Sequence, residues 1–318
     1  MMSNTTTVNP FDEIVGQASV KRTLDFYTDV FKSGGVVPTQ TFIAPKGCGK
    51  TMLAEAFGKR LFLESGGVKH CHVLNCSAIK NLDQFICNFA IEHLVDRECT
   101  VIFDECSELP KKLEMALLTM LAPNKRNKNS FSYEDYTIDI DFMKHTFVFA
   151  TSEPHKVFHA LMDRTTRIEL EEYSVDDIGE IMLMQDVDID ASILEKTALT
   201  CRGNARSAVQ RAKDMLNLLK TTGDVMFKQS HWDKLATIFD IKPLGMSKSE
   251  LKVLRVLNER PEGTSLTRLA ACTGYTKEAL QRDIEMYPMS HSLLAIETSG
   301  RIITGKGQEY LKNLDAGV

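Results

Sequence analysis

Residues 39–51, "TQTFIAPKGCGKT", restrict the fold of this chain more than any other stretch. An apolar run that reads as a strand gives way to a glycine-bearing loop, and the loop to helical sequence from Thr51 to about Glu64. A loop in that position aims backbone N–H groups and the positive end of a helix at one point, which makes an anion site. Gly47 and Gly49 let the backbone approach phosphate, Lys50 is placed to reach the β- and γ-phosphates, and Thr51 offers a hydroxyl to Mg²⁺. Pro45, Lys46, Gly47, Cys48, Gly49, Lys50, Thr51 and Met52 are therefore the expected nucleotide-binding set, for ATP with Mg²⁺. Ala44 stands where such loops usually open on glycine; it is small enough for the turn and removes no phosphate ligand. Lys46 adds a cation beside the triphosphate.

One strand and one helix further on, "TVIFDECSELP" ends an apolar strand in Asp104-Glu105. Asp104 is expected at the carboxyl end of the strand beside the loop, helping to hold Mg²⁺ with Thr51, and Glu105 to polarise the attacking water. Two adjacent carboxylates mean little alone; their distance from the loop is the specific part.

Short strands alternate with helical patterns through the first half: "HVLNC" (72 to 76), a helix from about Leu82, "CTVIFD" (99 to 104), a helix from Lys111 and "HTFVFAT" (145 to 151). That alternation predicts an α/β fold, a parallel sheet with helices on both faces. After "TRIELEEYSV" the strands are expected to stop, and "SVDD" opens a helical unit in capping fashion. From about Leu244 a third unit reads as three helices and a hairpin, "LLAIET" and "RIITG" joined by Ser299-Gly300, the order of a winged helix-turn-helix. The expected domains are 1–172, 173–243 and 244–318.

Length fits such a multi-domain chain: 318 residues exceed what one core usually organises. No apolar run reaches the roughly 20 residues of a membrane span, and the amino-terminal residues lack the parts of a signal peptide, so a cytoplasmic protein with no membrane contact is expected. The eight cysteines are scattered, as reduced core thiols are. "HCHVLNC" (70 to 76) offers four metal-ligand side chains, with His70 and His72 on one face of a strand and Cys71 on the other; the alternative is a half-buried strand, which is favoured. A net charge of −5 argues against indiscriminate polyanion binding, although a local basic surface suffices for nucleic acid.

The loop and the Asp-Glu pair together resemble AAA+ ATPases, and almost the whole chain, from about Asn9 to Leu314, is similar to the bacterial RuvB Holliday-junction branch-migration motors. "NPFDEIVGQASVKRTLDFYTDV" is similar to the family's opening segment, which implies adenine contacts for Ile14 and Val15. "ATSEPHKVFHALMDR" aligns without a gap to the run from sensor 1 to the arginine finger, implying those roles for Thr151 and Arg164, with Arg167 a nearby competitor. "CRGNARSAVQR" resembles the sensor 2 segment and implies that role for Arg206 on a helical lid. "LLAIETSGRIITGKGQEYLK" is similar to the RuvB wing and terminal helix. The resemblance thus implies an AAA+ core, a helical lid and a winged helix; a hexameric ring; and translocation of double-stranded or branched DNA that drives branch migration in recombination and repair.

On the third unit the expected DNA contacts are Lys277, Gln281 and Arg282 of the recognition helix, and Arg301 and Lys306 of the wing. Ten Lys or Arg against nine Asp or Glu from residue 244 onward leave it nearly neutral, which suits many small backbone contacts summed around a ring. Protein contact by the winged helix is the alternative. Between 122 and 144 two strand-like pieces, with a basic start at Lys125, Arg126 and Lys128, suggest a hairpin where the family docks RuvA; an exposed charged loop is the other reading. The chain departs from the family at Cys106-Ser107-Glu108, at Glu153 and at Ser299, all positions that the resemblance would give to DNA, a neighbour or a partner. Two other functions stay open: a clamp-loader or helicase-loader switch, and a DNA-binding regulator whose ATP site controls assembly.

Overall fold

The computed structural model describes residues 9–63, 67–121, 129–133 and 136–316. Its contacts divide into two compact units, one of residues 1–181 with 203–209 and the other of residues 182–202 with 210–318.

In the first unit, α1 (Ala18–Lys32), β1 (Gln40–Ile43), α2 (Lys50–Gly58), β2 (His70–Asn75), a helical run of α3 (Leu82–Phe85), a π-turn and α4 (Ile91–His93), β3 (Cys99–Asp104), α5 (Lys111–Met120), the hairpin β4 (Asn129–Tyr133) and β5 (Tyr136–Ile140), β6 (Thr146–Thr151), α6 (His159–Met162) and β7 (Thr166–Glu169) follow one another. Five strands form one parallel sheet in the order β2-β3-β6-β1-β7. β3 and β6 lie at or next to the middle because they are continuous apolar runs, which only a strand covered on both faces can bury. Phe103 of β3 stacks on Phe149 of β6 at 4.9 Å, with Phe85 and Phe147 around them, so the core also fixes the register of the two strands whose ends carry polar residues.

One expectation is corrected here. The helix after the loop ends at Gly58, well short of Glu64, itself outside the described residues; Gly58 sits with Cys71 and Thr100 where a Cβ would be, and the chain turns to bury Leu61 completely. Between β1 and β3 runs β6. The antiparallel β4–β5 pairing supplies a hairpin backbone within 122–144, whereas Lys125, Arg126 and Lys128 lie outside the described residues.

On β2 the His70 and His72 rings meet at 4.3 Å and His93 adds a third ring 4.4 Å from His72, while Cys71 faces Gly58. Among the described residues no group of three or more His, Cys, Asp or Glu is placed to hold a metal ion.

A buried pair at the foot of β3 and β6 predicts acid sensitivity. His145 Nε2 lies 3.1 Å from the Leu94 carbonyl, which can only accept, so Nδ1 is left to accept from the Cys99 thiol at 3.3 Å. Burial holds His145 down to about 4 and pushes Cys99 up to about 12, so the pair is neutral. A histidine depressed on folding contributes stability above its unfolded pKa of about 6.5 that is lost as pH falls toward 4. His145→Gln is expected to remove about 2 to 3 kcal/mol of the stability change between pH 7 and pH 4.5, read from denaturant unfolding at both pH values.

The second unit contains the end of α7 (Val175–Leu183), then β8 (Asp188–Ile189), α8 (Ala191–Leu199), most of α9 (Ala205–Thr222), β9 (Met226–Phe227) and α10 (Gln229–Phe239). In the first unit the expected cap of α7 is present: Asp177 N–H donates to Ser174 Oγ at 3.1 Å and Ser174 N–H to Asp177 at 2.9 Å. Strand pairing does not stop after residue 174, however. β8 and β9 form a two-residue parallel pair that buries Ile189 and Phe227, too short to leave a period in the sequence.

The same unit continues as α11 (Lys248–Asn258), α12 (Leu266–Thr273), α13 (Lys277–Ala279), a π-turn over Leu280–Ile284, α14 (Met286–Ser290), the antiparallel pair β10 (Leu294–Glu297) and β11 (Gly300–Ile303), and α15 (Gly305–Asp315). Ser247, Ser265, Thr276 and Thr304 each cap the helix that follows, so hydroxyl residues set four of the five helix starts. Leu251, Leu254, Leu257, Leu269, Leu280 and Ile303 share one core. The hairpin turn is Thr298-Ser299, not Ser299-Gly300: Gly300 already pairs with Glu297, at φ 120°, where a Cβ would lie 2.5 Å from Thr264 O. That close approach, rather than the turn, requires the glycine.

Candidate active site

The carboxyl ends of β1, β6 and β3 bring the expected nucleotide residues together. Thr51, in the first turn of α2, donates its hydroxyl to Asp104 Oδ2 at 3.0 Å, across the intervening β6. Sheet twist and the reach of the loop close that gap, so the pair forms without adjacent strands. A hydroxyl and a carboxylate this close are the hard oxygen donors that Mg²⁺ takes alongside phosphate and water. The residues therefore fit the ion.

Glu105 follows at φ 53°, a left-handed conformation unusual for a non-glycine residue, with its N–H donating to Asp104 Oδ1 at 3.1 Å. The turn separates two adjacent carboxylates that an extended strand would simply alternate. Ser152 Oγ donates to Glu105 Oε2 at 3.5 Å, a long contact from the residue after Thr151 that sequence reading did not single out. Thr151 is fully buried; its hydroxyl accepts from Glu153 N–H at 3.0 Å, and its carbonyl accepts from Ala44 N–H at 3.3 Å. Thr151 is thus bonded to the residue that opens the loop.

Lys50 is 6% exposed and donates from Nζ to the carbonyls of Ala44 and Pro45 at 2.9 and 3.1 Å. Burial pulls its pKa below the usual lysine range and Glu105 pushes it back up. Gly47 and Gly49 are both left-handed, at φ 85° and 79°. Asn204 occupies the space a Cβ would take at Gly47, and the Tyr173 hydroxyl lies 3.1 Å from that point at Gly49. Cys48 is buried, while Met52 and Lys46 are exposed.

Of the remaining expected residues, Ile14 and Val15 are buried in the segment before α1. Gln17 ties that segment down: its amide donates to Glu171 O at 2.7 Å and accepts from Glu171 N–H at 3.0 Å. Arg206 belongs to the first turn of α9; its backbone N–H faces Gly47 O at 3.4 Å and its charge acts on Lys50. Arg164 stands apart, exposed on the turn after α6, with Nη1 donating to Ala160 O at 2.8 Å. Arg167 is exposed on β7, paired in register with Thr41.

The replacements at Cys106-Ser107-Glu108 form a single 3₁₀ turn in which Cys106 is fully buried and Glu108 exposed. Glu153 pairs with Lys156 at 2.8 Å.

In the second unit Lys277, Gln281, Arg282 and Lys306 are exposed. Arg301 is not: its side chain is 11% exposed and donates from Nε to the buried Glu285 at 2.9 Å. The sequence could not reveal this, since Glu285 lies sixteen residues away at the bend between the π-turn and α14.

A parallel β2-β3-β6-β1-β7 sheet with a glycine-lysine loop, an Asp-Glu pair and a buried threonine at its carboxyl edge defines an AAA+ ATPase, an ATP hydrolase. The model of the ATPase family associated with various cellular activities matches residues 41–173, and that of the RuvB C-terminal winged helix domain matches residues 243–312. Among curated proteins the chain is 27% identical over 328 residues to the Holliday junction branch migration complex subunit RuvB of Thermotoga maritima, covering 95% of this chain and 90% of that one. It is 22% identical to the protein of the same name from Campylobacter hominis, over 95% and 88% of the two chains. Among solved structures, two mutants of Thermotoga maritima RuvB superpose with TM-scores of 0.73 and 0.71 at 25% identity, each covering 96% of this chain. The chain is a RuvB-like AAA+ ATPase.

Proposed function

We propose that this ATPase assembles into a hexameric ring, holds ATP with Mg²⁺, and uses hydrolysis to move double-stranded DNA, driving branch migration at Holliday junctions in the cytoplasm. The observation that carries the reading is the pairing of a complete nucleotide edge with a RuvB-type winged helix in one chain matched nearly end to end by RuvB proteins. The domains are read as 1–172, 173–243 and 244–318.

The roles follow from the chemistry of each group. Lys50 and the loop amides bind the triphosphate, and Thr51 and Asp104 would hold Mg²⁺, which neutralises charge on the phosphate oxygens. Glu105 accepts the proton of the attacking water. Thr151 and Arg206 read the γ-phosphate from within the subunit, and Arg164 reaches it from the next one. Exposure of Arg164, with a backbone carbonyl as its one side-chain partner among the described residues, supports a role outside its own site. Ile14 and Val15 border the base.

DNA is contacted through Lys277, Gln281, Arg282 and Lys306, each subunit adding a small share. Arg301 is left to the fold of the wing by its bond to Glu285. The 122–144 hairpin is the docking place for a RuvA-like junction-binding partner.

The test is ATP-dependent strand exchange on a synthetic four-way junction. Branch migration supports the motor; stimulated ATPase without strand movement would assign the chain to the loaders. Lys277→Ala with Arg282→Ala is expected to weaken DNA binding regardless of sequence and to lower the slope of log K against log salt by about 2, measured by titration at several salt concentrations.

A further inference from the structure

The phosphate loop is held from outside by the residues that open α9. Asn204 Nδ2 donates to the Lys46 carbonyl at 2.9 Å, and the Arg206 N–H faces the Gly47 carbonyl at 3.4 Å. Two successive peptides of the loop, 46–47 and 47–48, therefore have their oxygens drawn to one side. In a trans peptide the N–H points opposite to the C=O. Fixing those oxygens turns the amides of Gly47 and Cys48 away from α9, as a loop that binds anions through its amides requires.

Gly47 has no side chain because Asn204 occupies the place: a Cβ there would lie 2.4 Å from Asn204 Oδ1. The same side chain has a second task, since Asn204 Oδ1 accepts from Ser207 N–H at 3.0 Å and so caps α9. One amide thus uses its acceptor on the helix and its donor on the loop. A serine or aspartate could perform the first task; the second needs a donor of this reach.

We infer that Asn204 is a positioning residue of the nucleotide site, which orients the Gly47 amide toward phosphate and couples the loop to the helix carrying Arg206. It touches no reacting atom. Its loss disorders the loop that ATP must find, and bound ATP restores the loop's order at the expense of binding energy. The effect therefore falls on affinity more than on turnover. The inference rests on residues 44–51 being the ATP site and on nothing in the motor reading.

The experiment separates the two tasks by replacing Asn204 with serine, a good cap that is uncharged and too short to bond Lys46 O. Fluorescent-ATP titration and steady-state ATPase are run on the full chain, with Lys50→Ala as the control that loses nucleotide. Asn204→Ser is expected to raise Kd and KM for ATP about 3- to 10-fold, with kcat at saturation and the melting midpoint unchanged. Asn204→Asp, which also caps but cannot donate, is expected to raise them at least as much. Wild-type affinity in Asn204→Ser would overturn the inference, and so would a loss of affinity that tracks a fall in melting midpoint, since a cap alone would explain it. Tight binding by Lys50→Ala would instead mean that the ATP site had been misplaced.

Discussion

Replacing Glu105 with glutamine is expected to leave ATP bound and to slow its hydrolysis about 10²- to 10⁴-fold. The side chain keeps its size and its hydrogen bond from Ser152 Oγ, so the loop, Lys50 and the Thr51–Asp104 pair are undisturbed. What is lost is a group able to take a proton from the attacking water. The backbone shows why the neighbouring carboxylate cannot substitute. Asp104 accepts from Thr51 with one oxygen and from the Glu105 N–H with the other, which aims it at the loop and at the ion it would help to hold. Glu105, at φ 53°, is turned out of the strand direction toward Ser152. Single-turnover hydrolysis with a parallel ATP titration checks the result. Normal turnover in the variant would remove Glu105 from the chemistry. Loss of binding would mean that the glutamate shapes the site. Full DNA-binding regulation without hydrolysis would favour the regulator reading over the motor.

The parts of this site that the sequence disclosed are those where one backbone segment does the work. Gly47, Gly49, Lys50 and Thr51 follow a strand and open a helix, and local order alone puts them on an anion. Asp104-Glu105 was legible for a related reason: a continuous apolar run needs a buried strand, and a buried strand delivers its last residues to the sheet's carboxyl edge. Arg301 and Asn204 were not legible. Arg301 looked like a wing cation because it stands beside the hairpin turn, but Glu285 reaches it from the bend between the π-turn and α14. Asn204 lies 158 residues beyond its partner Lys46, and in sequence it is only a plausible helix cap. The two-residue pairing of β8 with β9 and the end of α2 at Gly58 escaped for the same reason, since both depend on contacts that no local period records.

The second large effect is expected at Arg164, where alanine should lower ATP hydrolysis by about 10³- to 10⁵-fold, the range measured when an arginine that neutralises charge on a transferring phosphoryl group is supplied or withheld. Within its own chain Arg164 has no acidic partner among the described residues that would explain its position: it is exposed and bonds only to the Ala160 carbonyl one helical turn back. Its neighbour Asp163 is taken by His159 at 2.9 Å. An exposed guanidinium with one backbone bond and several donors to spare is therefore available to a phosphate on another subunit. That possibility separates it from Lys50, which must act at its own loop. Arg164→Ala and Lys50→Ala are each expected to be inactive alone, and mixing them should recover part of the activity. In a mixed ring some sites combine an intact Lys50 from one subunit with an intact Arg164 from the next. If Arg164 worked in its own subunit, every site in the mixture would lack one of the two groups and mixing would recover nothing. Arg167→Ala serves as the comparison, because on β7 that residue is held by the sheet in register with Thr41, and a loss there without a loss at Arg164 would exchange the two assignments.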